Sequence, residues 1–136
     1  MRLVVDTSVI ISSLMRDSMS RRLILHPDLV LFTPEYVNIE INNHFNKILS
    51  YSGIPRNEFD ILLNQILNVV NIVPVEEFED FLEESYEIMR ENDPEDTAFL
   101  ALALSLQCDG IWTNDNDFQK QNRVNVWKTH ILKRII

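Results

Sequence analysis

Apolar residues in this chain alternate between short continuous runs and stripes at helical spacing, and that alternation predicts the order of elements. Leu3-Val4-Val5 is wholly apolar and stops at Asp6, the composition of a strand covered on both faces in a parallel sheet. Val9-Ile10-Ile11 and Leu14 then start a helix, with Thr7 or Ser8 available to cap it. Ser18 to His26 reads as a second short helix, and Leu29-Val30-Leu31-Phe32 as a buried strand closed by Thr33-Pro34. From Glu35 to Tyr51, Val37, Ile41, Phe45 and Ile48 recur at helical spacing, which predicts one long helix ended by Gly53. Pro55 to Asn68 carries a further amphipathic stripe (Phe59, Leu62, Leu63, Ile66, Leu67), and Val69 to Val73 is a β-branched strand stopped by Pro74. Phe78, Leu82, Tyr86 and Met89 form a helical stripe through an acidic segment.

The most informative stretch runs from Asp93 to Phe118. Asp93 before Pro94 is a helix start: proline is tolerated at the first helical position, and the aspartate can accept from free N–H groups. Phe99 to Leu106 is apolar on nearly every side, so this helix belongs inside a domain rather than on its surface. Gln107 to Gly110 end it, Ile111-Trp112 form a very short buried strand, and Thr113-Asn114-Asp115-Asn116-Asp117 make an acidic tip. Val124 to Trp127 reads as an edge strand, and a last segment runs from His130 to Ile136. Strands alternating with helices predict an α/β fold, a doubly wound, mostly parallel sheet of four to five strands flanked by helices. No linker, repeat or low-complexity tract interrupts it, so residues 1–136 are expected to form a single domain.

Charge changes the picture in one respect. The net charge of −9 argues against a broad basic nucleic-acid face, yet eleven of the 21 acids lie in residues 76–96, with Arg90 the one base among them. The remainder is close to neutral, with basic clusters at Arg16/Arg21/Arg22 and at Lys120, Arg123, Lys128, Lys133 and Arg134. Cys108 is the one cysteine, which suits a reducing cytoplasm, and no apolar run is long enough to span a membrane.

The candidate chemistry follows from topology. In a parallel α/β sheet, strand C-termini and the N-termini of the following helices share an edge, where ligands bind. Asp6 ends the first strand and Asp115 follows the fourth. Glu40 lies early in the helix after strand two, and Asp96 starts the helix before strand four. Each acid alone is an ordinary cap or solvated edge residue, and Asp96 could simply partner an Asp93 cap. Four carboxylates on one edge are different: like charges at about 4 Å cost roughly 4 kcal/mol per pair at an effective dielectric near 20. Such a set takes up protons or binds a cation, and oxygen ligands without histidine or cysteine select Mg²⁺ or Mn²⁺.

At these residues the sequence resembles the PIN-domain ribonucleases. The resemblance rests on V-V-D-T-S-V-I, T-P-E-Y-V-N-I-E-I, D-P-E-D-T-A-F-L-A-L-A-L and I-W-T-N-D-N-D-F, in that order over nearly the whole chain. It implies a Mg²⁺- or Mn²⁺-dependent endoribonuclease with Asp6, Glu40, Asp96 and Asp115 as its acids and Asp117 as a fifth. Asp6, Asp96, Asp115 and Asp117 are its implied metal ligands, and Thr7, Ser8 and Thr113 match small polar residues that orient them. It also implies a homodimer acting on RNA in the cytoplasm, the toxin of a toxin–antitoxin pair silenced by a cognate antitoxin. A non-catalytic PIN-fold scaffold and an RNA-maturation nuclease are the alternatives. A haloacid-dehalogenase phosphatase needs a second aspartate where Ser8 stands, and a receiver domain needs one where Val73-Pro74-Val75 follows strand three.

Overall fold

The computed structural model describes all 136 residues. Five strands form one wholly parallel sheet in the order β3-β2-β1-β4-β5, with β1 (Arg2–Val5) at its centre. β2 (Val30–Pro34) lies on one side of β1 and is followed outward by β3 (Val70–Val73). β4 (Gly110–Trp112) lies on the other side, followed by β5 (Val126–Trp127). The chain therefore builds outward from β1 in one direction, then crosses back and builds in the other. This makes the gap between the ends of β1 and β4 the topological switch point, where doubly wound sheets bind ligands.

Eight helices cover the sheet: α1 (Thr7–Ser13), α2 (Met19–Ile24), α3 (Tyr36–Asn43), α4 (Phe45–Ser52), α5 (Arg56–Val69), α6 (Leu82–Met89), α7 (Thr97–Leu106) and α8 (Thr129–Ile135). Two apolar cores result. One joins Leu3, Val5 and Trp112 to α1, α2, α5 and α8; the other joins Val4 and Ile111 to Phe78, Met89, Phe118 and α7. Successive residues of β1 thus feed opposite cores, which is why Leu3, Val4 and Val5 are all apolar. α7 supplies Phe99, Leu100, Ala101, Leu102 and Ala103, all buried.

Four local expectations are corrected. The long helix from Glu35 is broken at His44 (φ −115°, ψ 16°) into α3 and α4; the apolar stripe continues across the break, so spacing alone could not reveal it. The acidic segment opens with two 3-10 turns, Val75–Glu77 and Glu79–Phe81, and becomes α-helical at Leu82. Within its stripe, Tyr86 is half exposed and leaves the core to Phe78 and Met89. Finally, neither Thr7 nor Ser8 caps α1: that helix follows Asp6 directly, without a side-chain cap, and the two hydroxyls serve acids instead.

Candidate active site

Asp6 is fixed by both strands of the switch point. Its backbone N–H donates to the Trp112 carbonyl at 3.0 Å, extending the β1–β4 pairing by one bond. Its Oδ2 accepts from the Thr113 hydroxyl at 2.7 Å and the Ser8 hydroxyl at 2.8 Å. Thr113, fully buried, also accepts from the Asp115 N–H at 3.0 Å, and Asp115 Oδ1 accepts from the Asp117 N–H at 3.0 Å. One chain of hydrogen bonds thus runs Ser8–Asp6–Thr113–Asp115–Asp117. On the other side, the Thr7 hydroxyl donates to Glu40 Oε1 at 3.0 Å, tying α3 to the start of α1.

The fourth acid arrives with α7. Asp93 accepts from the Glu95 N–H at 3.0 Å, the expected cap, and opens a 3-10 turn, Pro94–Asp96, that leads into the helix. Asp96 is 8% exposed, and its Oδ2 is buried without a hydrogen-bond partner. Carboxylate oxygens of Asp93, Asp96, Asp115 and Asp117 all lie within 4.8 Å of one another. The structure therefore brings Asp96, Asp115 and Asp117 together and adds Asp93, which the sequence marked only as a cap. Asp6 and Glu40 are not members of that quartet. Asp6 adjoins it through Thr113 and through its charge, and Glu40 is reached through Thr7 and Asp6.

The electrostatics follow from this crowding. Burial pushes the Asp96 carboxyl up to about 8, and the charges of Asp6, Asp93, Asp115 and Asp117 push in the same direction. Burial also raises Asp6; the hydrogen bonds from Thr113 and Ser8 offset part of the rise, and the Asp115 charge adds to it. Glu40 is raised mainly by burial, against the Thr7 hydrogen bond. A buried carboxylate oxygen with no donor, facing three further carboxylates, is costly unless it is protonated or neutralised. The donors are all oxygens, which fits a hard divalent cation such as Mg²⁺ or Mn²⁺.

The same fold occurs in VapBC2 from Rickettsia felis, solved bound to a DNA fragment from their promoter. The TM-score is 0.67 at 12% identity, over 94% of this chain and 98% of that one, so the likeness is one of fold. No curated protein matches the chain. The family model of the PIN domain matches residues 4–134, a span that includes the β1–β4 switch point and every acid gathered around it, and the chain belongs to the PIN-domain family.

Proposed function

We propose that the chain is a Mg²⁺- or Mn²⁺-dependent endoribonuclease and the toxin of a toxin–antitoxin pair. PIN domains are nucleases, and the acid cluster lies where a parallel sheet binds its ligand. The observation that carries the reading is the unpartnered, buried Oδ2 of Asp96 among three other carboxylates. The specificity for RNA, the homodimer and an antitoxin partner rest on the family resemblance. The neighbour of like fold, bound to DNA from its own promoter, fits a partnered and self-regulated protein.

Asp96, Asp115 and Asp117 would hold the ion, with Asp93 and Asp6 beside them. When bound, such an ion neutralises charge on the phosphodiester and lowers the pKa of a water. Thr113 and Ser8 hold Asp6 in one rotamer; the Thr113 bond ties the end of β1 to the end of β4, and the same hydroxyl accepts from the Asp115 N–H. Glu40, with its raised proton affinity, is the group to take the proton as water oxygen bonds to phosphorus. The P–O bond to the departing ribose oxygen breaks, and that oxygen takes a proton from solvent.

Calorimetric titration with Mn²⁺, on the wild type beside Asp96→Asn, tests the reading. Heat of binding in the wild type and its loss in the variant support a single carboxylate site. No binding in either makes the acids surface charge and gives the lead to a non-catalytic scaffold. A small antitoxin gene next to this one would separate the toxin from an RNA-maturation nuclease.

A further inference from the structure

Asp93 reaches the acid cluster through its backbone as much as its side chain. The proline that follows holds it in extended backbone, at φ −146° and ψ 101°. The turn beginning at Pro94 is 3-10, and the Asp96 N–H donates to the Asp93 carbonyl at 3.1 Å. That bond between residues three apart draws Asp93 and Asp96 to one side of the turn. The capping bond from the Glu95 N–H takes Asp93 Oδ1 at 3.0 Å and leaves Oδ2 without a donor.

Charge points the same way. Oxygens of Asp93, Asp96, Asp115 and Asp117 lie within 4.8 Å of one another, yet none of the four enters an ion pair. Lys128, which reaches the acidic tip, donates to Asn116 Oδ1 at 2.9 Å rather than to Asp115 or Asp117. Asp96 Oδ2 is enclosed among these acids with no donor at all. A cap needs one acceptor oxygen and no charge, and asparagine or serine serves it as well as aspartate. Capping alone therefore does not call for a fourth carboxylate among three others, a placement that costs free energy unless a cation lies between them.

We propose that Asp93 is a direct ligand of the divalent ion, beside Asp96, Asp115 and Asp117, while its other oxygen caps the turn. This adds an acid to the ligand set that the family resemblance implies, and it rests on the metal-dependent reading above. A fourth carboxylate raises the charge of the site, so the protein holds its ion tightly before any phosphate arrives to complete the coordination.

Asp93→Asn separates the two roles, because asparagine keeps the cap and lacks the charge. In chelator the variant should melt no lower than the wild type. In calorimetric titration its Mn²⁺ affinity should fall about tenfold or more, whereas Glu95→Gln, which removes an exposed charge two residues away, should change it less than about twofold. The loss should persist in about 1 M KCl, where charges acting through space are screened beyond about 3 Å. Asp93→Ser, which also caps, should show the same loss and serves as the second variant. Mn²⁺ bound by both variants as tightly as by the wild type overturns the inference and leaves the metal site standing. A deficit that vanishes in KCl, or that Glu95→Gln matches, also overturns it and makes Asp93 a cap with a nearby charge. A wild type that binds no Mn²⁺ removes the metal-dependent reading itself, and this ligand with it.

Discussion

Replacing Asp96 by asparagine removes a charge that the metal-free fold is poorly built to hold. The carboxyl has an ordinary value of 3.8 and is raised to about 8 in the folded chain. The folded state therefore binds more protons than the unfolded state between those values, and stability falls as pH rises through that window. Neutral pH lies about 3 pH units above that ordinary value, worth roughly 4 kcal/mol at 1.36 kcal/mol per unit. The crowded acids share the proton load and Asn must still satisfy its amide, so about half of that, some 2 kcal/mol, is the gain to expect from Asp96→Asn. For a domain of this size that is a Tm higher by roughly 6 °C. Thermal melts in chelator at about pH 5 and about pH 8 measure it: the variant should gain little at the lower pH and most at the higher. With saturating Mn²⁺ the order should invert, because ion binding stabilises only the wild type. Equal melts at the higher pH in chelator, or a variant that melts lower there, would refute the reasoning and leave Asp96 a helix-start residue.

Three other perturbations probe the supports of the site. Thr113→Val removes the hydroxyl shared by Asp6 and Asp115 in a fully buried position, and should cost about 2 kcal/mol in denaturant unfolding. It should also raise the Asp6 carboxyl further, visible as an upward shift in its NMR titration. Gly110→Ala places a Cβ 2.5 Å from the Asn125 carbonyl and 2.8 Å from the Trp127 ring at φ +146°, so β5 must move off β4. A loss of about 3 kcal/mol is expected, and wild-type stability would show that β5 adapts freely. Leu102→Asp buries a charge where the side chain is wholly enclosed, and a cooperatively folded mutant by circular dichroism would contradict that placement.

Much of this architecture was legible because the physics that sets it is local. Leu3-Val4-Val5 and Ile111-Trp112 are apolar throughout since each faces both cores, and the chain direction then carries Asp6 and Asp115 to one edge. Features decided by tertiary packing were not legible. Phe45 and Ile48 keep the spacing of Val37 and Ile41 through the break at His44, so the pattern reads as one helix. Asp93 has a complete local explanation in its bond to the Glu95 N–H, and nothing in the sequence says that its carboxylate also stands within reach of Asp115 and Asp117. The hydroxyls of Thr7 and Ser8 look like caps, yet they turn away from the helix start because acids distant in sequence or just before them compete for the same donors.

The hydrogen bond from Thr113 to Asp6 spans 107 positions of sequence and joins the ends of β1 and β4. During translation, β1 can pair with β2 early, but its other edge stays empty until Gly110–Trp112 have left the ribosome. Any nascent chain short of Asp115 holds only part of the acid set, however well its first half has collapsed. Synthesis thus sets its own order: the acids meet as one site only once the chain through Asp117 has been made.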